Sequence, residues 1–285
     1  MLKSVLENLA SITVTYNPPI VDNRLLYQLS TLSRICKICV LIDNGSKNIE
    51  QIRTLTIGYS NVVIIELKRN VGIAAALNLA VDYCKNIADI EWIITMDQDS
   101  YIQNDAIQNI ELETSPYLDD KRIAAFGLNY EDFHFTRKKL VNSSKEPLYV
   151  NFLITSGCIV RKDIIERYNF DTDLFMYYVD TDFCKRLHHD HLKLVLLKSS
   201  FMFHKKGSVD VLEDGKEHHY NEPEKFYFFS RNSLVMLRRY FDIRGIAYLI
   251  LLLMENVIAN WEIPQTFWNL RRGFVDGLRY IFVNK

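Results

Sequence analysis

Two aspartates one residue apart close an apolar run, Trp92-Ile-Ile-Thr-Met-Asp97-Gln-Asp99. A β-rich segment that runs straight into paired acids presents like charges at a sheet edge, which is costly unless something cationic lies between them. A divalent cation meets that need. Magnesium or manganese, hard ions that prefer oxygen ligands, would bridge such a carboxylate to a diphosphate. Acidic pairs this short are common in surface turns, so the place at a strand end carries the argument. Other reactive residue types read as structure. In His188-His-Asp-His191, adjacent histidines at a helix end cannot all point at one ion, and 192–197 follows at once as a strand. His218-His219 falls in a polar loop and His134 in the charged segment 131–139, and neither suggests catalysis. Cys36-Lys-Ile-Cys39 sits in apolar surroundings with no second pair, and residues three apart on a strand face opposite sides, so both read as core thiols.

The acids need a scaffold. Short β-rich runs alternate with helical spacing through the first half, the pattern of parallel strands joined by crossover helices. Strands are expected at 11–16, 38–43, 62–66, 92–97 and 123–127, and helices at 19–33, 49–57 and 71–84, the last opened by Asn70 as N-cap. In open α/β sheets ligands bind beyond the carboxyl ends of the strands. The polar clusters fall there: Tyr16-Asn-Pro-Pro19, Asp43-Asn-Gly-Ser46, Lys68-Arg-Asn70 and Asp97-Gln-Asp-Ser100. Packing alone does not explain four strand ends that converge on polar, acidic and glycine-containing loops.

The 285 residues are 48% hydrophobic and 24% charged, enough to bury a core as one large domain or a domain with an appendage. A net charge of −1 gives no overall attraction for nucleic acid. Five cysteines, an odd number in a chain too large to need staples, fit reduced thiols in a cytoplasm. The first residues also lack the basic start and long apolar stretch of a signal peptide, so a cytoplasmic location is expected. Character changes near residue 220. An aromatic, arginine-rich helix is expected over 222–240, followed by the apolar run 246–254, which is shorter than the about 20 residues a bilayer span needs. From Arg231 onward eight basic residues (Arg231, Arg238, Arg239, Arg244, Arg271, Arg272, Arg279, Lys285) face four acids (Asp242, Glu255, Glu262, Asp276). With Trp261, Phe267, Trp268, Phe274 and Phe282, that composition suits either a peripheral membrane contact or an ordinary helical cap on the sheet.

Taken in order, Ile12-Thr-Val-Thr-Tyr-Asn-Pro18, Asp43-Asn-Gly-Ser46, Asn70-Val-Gly-Ile-Ala-Ala-Ala-Leu-Asn78 and Met96-Asp-Gln-Asp-Ser100 resemble glycosyltransferase family 2, and within it the rhamnosyltransferase-like branch. Thr155-Ser-Gly157 and Phe175-Met-Tyr-Tyr-Val-Asp180-Thr-Asp182-Phe-Cys-Lys-Arg186 resemble the acceptor-side segment of that family. His204-Lys-Lys-Gly-Ser208 and Tyr227-Phe-Phe-Ser-Arg-Asn232 complete the series, and the resemblance spans residues 10 to 240. Where many relatives carry Glu-Asp, this chain has Val179-Asp180, and two lysines follow His204 in place of a second histidine.

The resemblance implies a GT-A fold: a nucleotide-binding α/β sheet with crossover helices over 1–220, divided into a donor half (1–128) and an acceptor half (129–220), then a C-terminal helical segment (221–285). It places Thr15, Tyr16 and Asn17 around the nucleoside and gives Asp43 a hydrogen bond from the pyrimidine ring. Asn70 and Asn78 lie on or beside the helix whose start faces the donor. Asp97 contacts the ribose or the metal-bound nucleotide, Asp99 is the direct ligand of Mg2+ or Mn2+, and His204 is a further ligand. The resemblance puts Asp180 in the place of the catalytic base. From the residues themselves, Lys205, Lys206 and Arg231 could add charge near the diphosphate or be solvated surface cations. Chemistry supports these roles. Breaking a sugar–phosphate bond develops negative charge that a cation stabilises. A carboxylate opposite the leaving group can take the acceptor proton, giving a single displacement with inversion. Asp182 is spaced to orient Arg186 at i+4. As a capping residue of a helix over 181–189, Asp180 has a purely structural alternative.

The branch implies transfer of L-rhamnose from dTDP-L-rhamnose to a saccharide or lipid-linked saccharide at the cytoplasmic face of the inner membrane, for O-antigen, capsule or cell-wall polysaccharide. A UDP-hexose or UDP-galactofuranose donor is compatible with the same residues. The chain carries no G-x-x-x-x-G-K-[ST], G-x-G-x-x-G or G-x-S-x-G, which argues against a P-loop kinase, a dinucleotide dehydrogenase and an α/β hydrolase. Two rivals remain: a sugar nucleotidyltransferase, and a catalytically silent subunit that binds or assembles in polysaccharide synthesis.

Overall fold

The computed structural model describes residues 4–132, 148–204, 208–211, 217–220, 223–241 and 264–283 with positions 243 and 247. His134, Lys205, Lys206, Trp261 and the apolar run 246–254, apart from 247, lie outside them. The chain forms two compact units, Met1–Thr172 with Asp180–Lys206 and Asp173–Val179 with Gly207–Lys285.

In the first unit, β1 (Leu9–Thr15), β2 (Ile38–Asp43), β3 (Val62–Glu66), β4 (Trp92–Asp97), β5 (Tyr101–Ile102), β6 (Ile123–Asp132), β7 (Leu148–Val150), β8 (Cys158–Arg161) and β9 (Lys193–His204) build one mixed sheet. Its order is β3-β2-β1-β4-β8-β6-β9-β5, with β7 added on β9. The first four strands are parallel, and Thr15 stands opposite Asp43 while Val14 stands opposite Asp97. β8 runs antiparallel between β4 and β6, which closes the parallel block. β1 and β4 are buried almost throughout, as strands covered on both faces must be, and this is why they read as unbroken apolar runs.

Helices α1 (Arg24–Ile35), α2 (Ile49–Thr56) and α3 (Ile73–Lys85) make the crossovers. α1 buries Leu25, Gln28, Leu29 and Leu32, a one-sided stripe at helical spacing. α3 turns Ala74, Ala76, Leu77 and Ala80 inward, and these small side chains let its backbone lie close to β1 and β2. The expected helix over 19–33 is in fact two pieces. A 3₁₀ turn at Ile20–Asp22 ends on Asn23 in the left-handed region (φ 56), and α1 begins afterwards. Pro19 and the Asp22 carboxylate, which accepts the Arg24 N–H, explain the break. α3 starts two residues later than expected, with Gly72 rather than Asn70 at its N-cap; a φ of 85 there suits glycine.

α4 (Ala106–Thr114), α5 (Lys162–Tyr168) and α6 (Val179–His189) complete the first unit, α6 crossing its boundary at Val179. Its main core joins Trp92, Ile94 and Met96 of β4 to Phe126, Ile159 and Val195. Cys36, at the end of α1, and Cys39, on β2, are buried and free, as are the other three cysteines. The second unit contains α7 (Pro223–Tyr240), α8 (Pro264–Val283) and a hairpin of β10 (Ser208–Val211) and β11 (Glu217–Tyr220). His218 and His219 thus lie in a strand, not a loop. α7 and α8 run parallel, since Tyr227 meets Asp276 and Arg239 meets Tyr280. Gly273 and Gly277 permit that packing: a Cβ there would stand 2.2 Å from the Tyr227 carbonyl oxygen and 2.7 Å from Leu234. Among the described residues no helix is long and apolar enough to cross a membrane.

Candidate active site

Chain order reverses between β1 and β4, which makes the carboxyl ends of these strands the switch point at which open α/β sheets bind ligands. β4 ends on Asp97 there. Asp97, Asp99 and His204 each offer a ligand atom, and those atoms all lie within 4.8 Å of one another. His204 closes β9, more than a hundred residues away in sequence, and its Nδ1 stands 2.7 Å from the Ser100 hydroxyl and 4.0 Å from Asp97. Two carboxylates and one imidazole form an oxygen-rich donor set of the kind Mn2+ or Mg2+ accepts. The electrostatics agree. Asp97 is pushed up to about 7, first by loss of hydration, then by the charges of Asp99 and Asp180. Its side chain nevertheless keeps 34% of its surface accessible, so an ion can reach it.

The turn that carries the acids is held by Gln28, which the sequence did not single out, and by Gln98 and Ser156, which lie in the motifs without an assigned role. Gln28, buried on α1, accepts from the Thr13 hydroxyl at 2.8 Å and donates to the carbonyls of Asp97, at 2.6 Å, and Ser100. Gln98, between the two acids, accepts the Tyr16 N–H at 2.7 Å and returns a bond to the Tyr16 carbonyl. The Asp97 N–H donates to the Ser156 hydroxyl at 3.2 Å. The signal for Gln28 was available: it is a polar side chain on the apolar stripe of an amphipathic helix.

The other strand-end loops lock to one another. Asp43 is buried; its carboxylate accepts from Thr15 Oγ1 and from the N–H groups of Gly45 and Ser46, so it braces the loop in which it sits. Asn17, with φ 47, donates its N–H to Ser46 and accepts the Lys47 N–H through its side chain. Asn44 donates to the Asn70 side chain, which also accepts the Gly72 N–H and so fixes the entry to α3. Asn78 commits both ends of its amide to the Phe170 backbone, each bond 2.8 Å. Thr15 is buried, whereas Tyr16 is exposed.

Asp180 lies in the first turn of α6, where its Oδ1 accepts the Thr181 N–H at 2.7 Å. It borders a cavity of about 10 Å³, room for one water, lined also by Thr95, Leu153, Cys158, Phe183 and Cys184. Dehydration against that apolar wall pushes Asp180 up to about 6, only partly offset by the bonds from Thr181. Burial likewise pushes Cys184 up to about 12 and holds it as a neutral thiol. Asp182 is buried and pairs with Arg186 at 2.8 Å, the i+4 partner expected from the spacing; Arg186 in turn holds the carbonyls of Tyr168 and Asn169.

In the second unit, Arg231 donates to the Asp173 carbonyl at 2.6 Å. The buried Asn232 amide donates to the carbonyls of Leu174, Met176 and Tyr177. These bonds stabilise a segment in which Phe175, Tyr177 and Tyr178 all adopt positive φ. Phe175 stacks on Phe228 at 4.5 Å, while Phe226 and Phe229 pack with Leu270, so the aromatic run at the start of α7 serves as core.

The chain is 28% identical over 248 residues to the dTDP-rhamnosyl transferase RfbF of Shigella flexneri, an alignment covering 81% of this chain and 80% of that protein. Among solved structures it resembles TarS 1-349 of S. aureus in complex with UDP-GlcNAc (TM-score 0.57, 16% identity, covering 96% of this chain and 81% of that one). It also resembles GalNAc-T7 with UDP, GalNAc and Mn2+ (TM-score 0.58, 11% identity, 82% of this chain), about half of whose chain (51%) it spans. At those identities the likeness shows the fold, which is the GT-A glycosyltransferase fold. The family model described as glycosyl transferase family 2 matches residues 20–168, just over half of the chain, from α1 through the acidic strand end to α5. A parallel sheet with its acids at the switch point is thus joined to a matching sequence pattern, and the chain belongs to glycosyltransferase family 2.

Proposed function

We propose that the chain is an inverting rhamnosyltransferase that moves L-rhamnose from dTDP-L-rhamnose to a hydroxyl of a saccharide or lipid-linked saccharide in bacterial surface polysaccharide synthesis. The carrying observation is the meeting of Asp97, Asp99 and His204 at one strand end, within electrostatic reach of Asp180. The choice of donor is supported by the similarity to RfbF. Asp180 accepts the proton of the acceptor hydroxyl as its oxygen attacks C1 of the rhamnose. The C1–O bond breaks with its electron pair going to the β-phosphate, dTDP leaves, and the anomeric centre inverts. A base pushed up to about 6 suits this work: it is ionised at neutral pH, yet basic enough to drive the transfer. Asp97, Asp99 and His204 would hold Mg2+ or Mn2+, which supplies charge neutralisation for the departing diphosphate. Thr15, Tyr16 and Asn17 border the donor, with Asp43 and Asn70 shaping the loops around it. We place the reaction in the cytoplasm, a reading that the free, buried cysteines support.

Asp180→Asn tests the base and separates an enzyme from a silent subunit. Turnover should fall by about a hundredfold or more, the scale of general-base catalysis, with the donor dissociation constant unchanged. Unchanged turnover would remove Asp180 from the mechanism. Absence of turnover in the wild type with any nucleotide sugar, despite donor binding, would favour the assembly role.

A further inference from the structure

Helix α8 carries two different faces. Thr266, Leu270, Gly273 and Gly277, spaced four, three and four apart, form the stripe packed on α7. The bulky aromatics point the other way: Phe267 is 63% exposed, Trp268 58%, Phe274 45% and Phe282 71%. A helix that served only as a cap would bury its aromatics and expose its small residues; this one reverses the assignment. At 3.6 residues per turn Phe267, Arg271, Phe274 and Phe282 fall on one outward stripe, with Trp268, Arg272 and Arg279 along its flank. The charges on that side are arginines. Arg271, whose guanidinium lies 5.3 Å over the Trp268 ring, is exposed, as are Arg272 and Arg279. The sole acid of the helix, Asp276, is turned to Tyr227 and Arg279.

We infer that this face of α8 lies in the plane of an anionic lipid surface, with Phe267, Trp268, Phe274 and Phe282 entering the acyl boundary and the arginines meeting headgroup phosphates. Exposed aromatics flanked by arginines, of which Arg271 stacks on Trp268, Arg272 lies over Tyr227 and Arg279 is paired with Asp276, on a 20-residue helix about 30 Å long, have the chemistry of an interfacial helix. The cations single out an anionic membrane; a second copy of this chain, with net charge −1, offers them no complementary field. The inference is independent of the donor and of Asp180.

The test is co-sedimentation of the full chain with vesicles of phosphatidylglycerol mixed into phosphatidylcholine, and with phosphatidylcholine alone. Binding should be about a hundredfold tighter to the anionic vesicles, as three arginines near a charged surface give, and should weaken as salt rises to about 1 M, where screening is nearly complete. Phe267→Ser combined with Phe274→Ser should abolish pelleting. The exposed positions leave the glycine face intact, and far-UV circular dichroism together with an unchanged melting temperature checks the fold. Arg271→Gln with Arg272→Gln should weaken anionic binding by about thirtyfold. The inference falls if the wild type does not pellet with anionic vesicles, or if the serine variant pellets as well as the wild type. It falls equally if sedimentation velocity shows a wild-type dimer that these serines dissociate, since the face would then be covered by a second copy.

Discussion

As the proposed base, Asp180 must be ionised to act, and its surroundings resist ionisation. With a folded value of about 6 against an ordinary 3.8, the rate at saturating donor and acceptor should be level above neutral pH and fall tenfold per unit below about 6. A pH–rate profile checks this; a limb near 4 would mean that the carboxylate is hydrated. The same shift has a stability consequence. A raised acid binds its proton more tightly when folded, so its contribution to stability is lost as pH rises from the unfolded value to the folded one. Asp180→Asn should therefore stabilise the protein by about 1–2 kcal/mol at pH 8, allowing for partial exposure, and much less at pH 4. Urea unfolding at the two pH values measures it. Legibility at this scale followed residue type. Asp97, Asp99 and His204 were readable as a ligand set from the resemblance, and the structure brings them together. Gln98 was not, because an amide announces no chemistry until the backbone groups it satisfies are placed, and Gln28 was marked only as a polar side chain on the apolar stripe of α1, which does not say what it holds. Asn78 was readable as important, but its partners on Phe170 appear only when the chain has folded back by 92 residues.

At the scale of elements, the parallel strands and their crossovers were legible because burial on both faces leaves unbroken apolar runs with polar ends. The antiparallel strands β5, β7 and β8 were not. At two to four residues they are too short for periodicity to show, and it is their pairing with β4, β6 and β9 that makes them strands. The starts of α2 and α3 were legible to within two residues, but α1 begins five residues after the expected position 19, since the positive-φ residues Asn23 and Gly72 decide where α1 and α3 open. One such turn offers a prediction. Gly45 has φ 85, and a Cβ there would stand 2.7 Å from the Arg69 backbone, which has no side chain to swing aside. Gly45→Ala should cost about 1–3 kcal/mol in strain and loosen the loop between β2 and α2, weakening donor binding along with stability. Denaturant unfolding and donor titration check it, and a variant as stable as the wild type would show that the loops at β2 and β3 are not in fixed contact.

At the scale of the molecule, composition and the order of motifs sufficed for the fold class, and the family match and the structural neighbours agree with it. Less legible was the segment Asp173–Val179, which groups with the C-terminal helices rather than with the sequence before it. Asn232 and the stack of Phe175 on Phe228 draw it there, contacts that no local pattern encodes. A charge of −1 over the whole chain masks the basic C-terminal composition, which was legible from Arg231 onward; that its arginines and exposed aromatics share one side of α8 emerges only when the helix is seen face by face.

A metal-assisted dTDP-rhamnose site at the end of β4 should show in the melting temperature of the full chain against dTDP-L-rhamnose, dTDP and UDP-sugars, each with and without Mn2+. A ligand at about a hundred times its dissociation constant stabilises by about 2.7 kcal/mol, which in a chain of this size raises the melting temperature by several degrees. That rise is expected for dTDP-L-rhamnose with Mn2+, a smaller one without the ion, and in Asp99→Ala one no larger than the metal-free rise whether or not Mn2+ is present. A well-folded wild type that no nucleotide sugar stabilises, or a rise that survives Asp99→Ala undiminished, would contradict such a site.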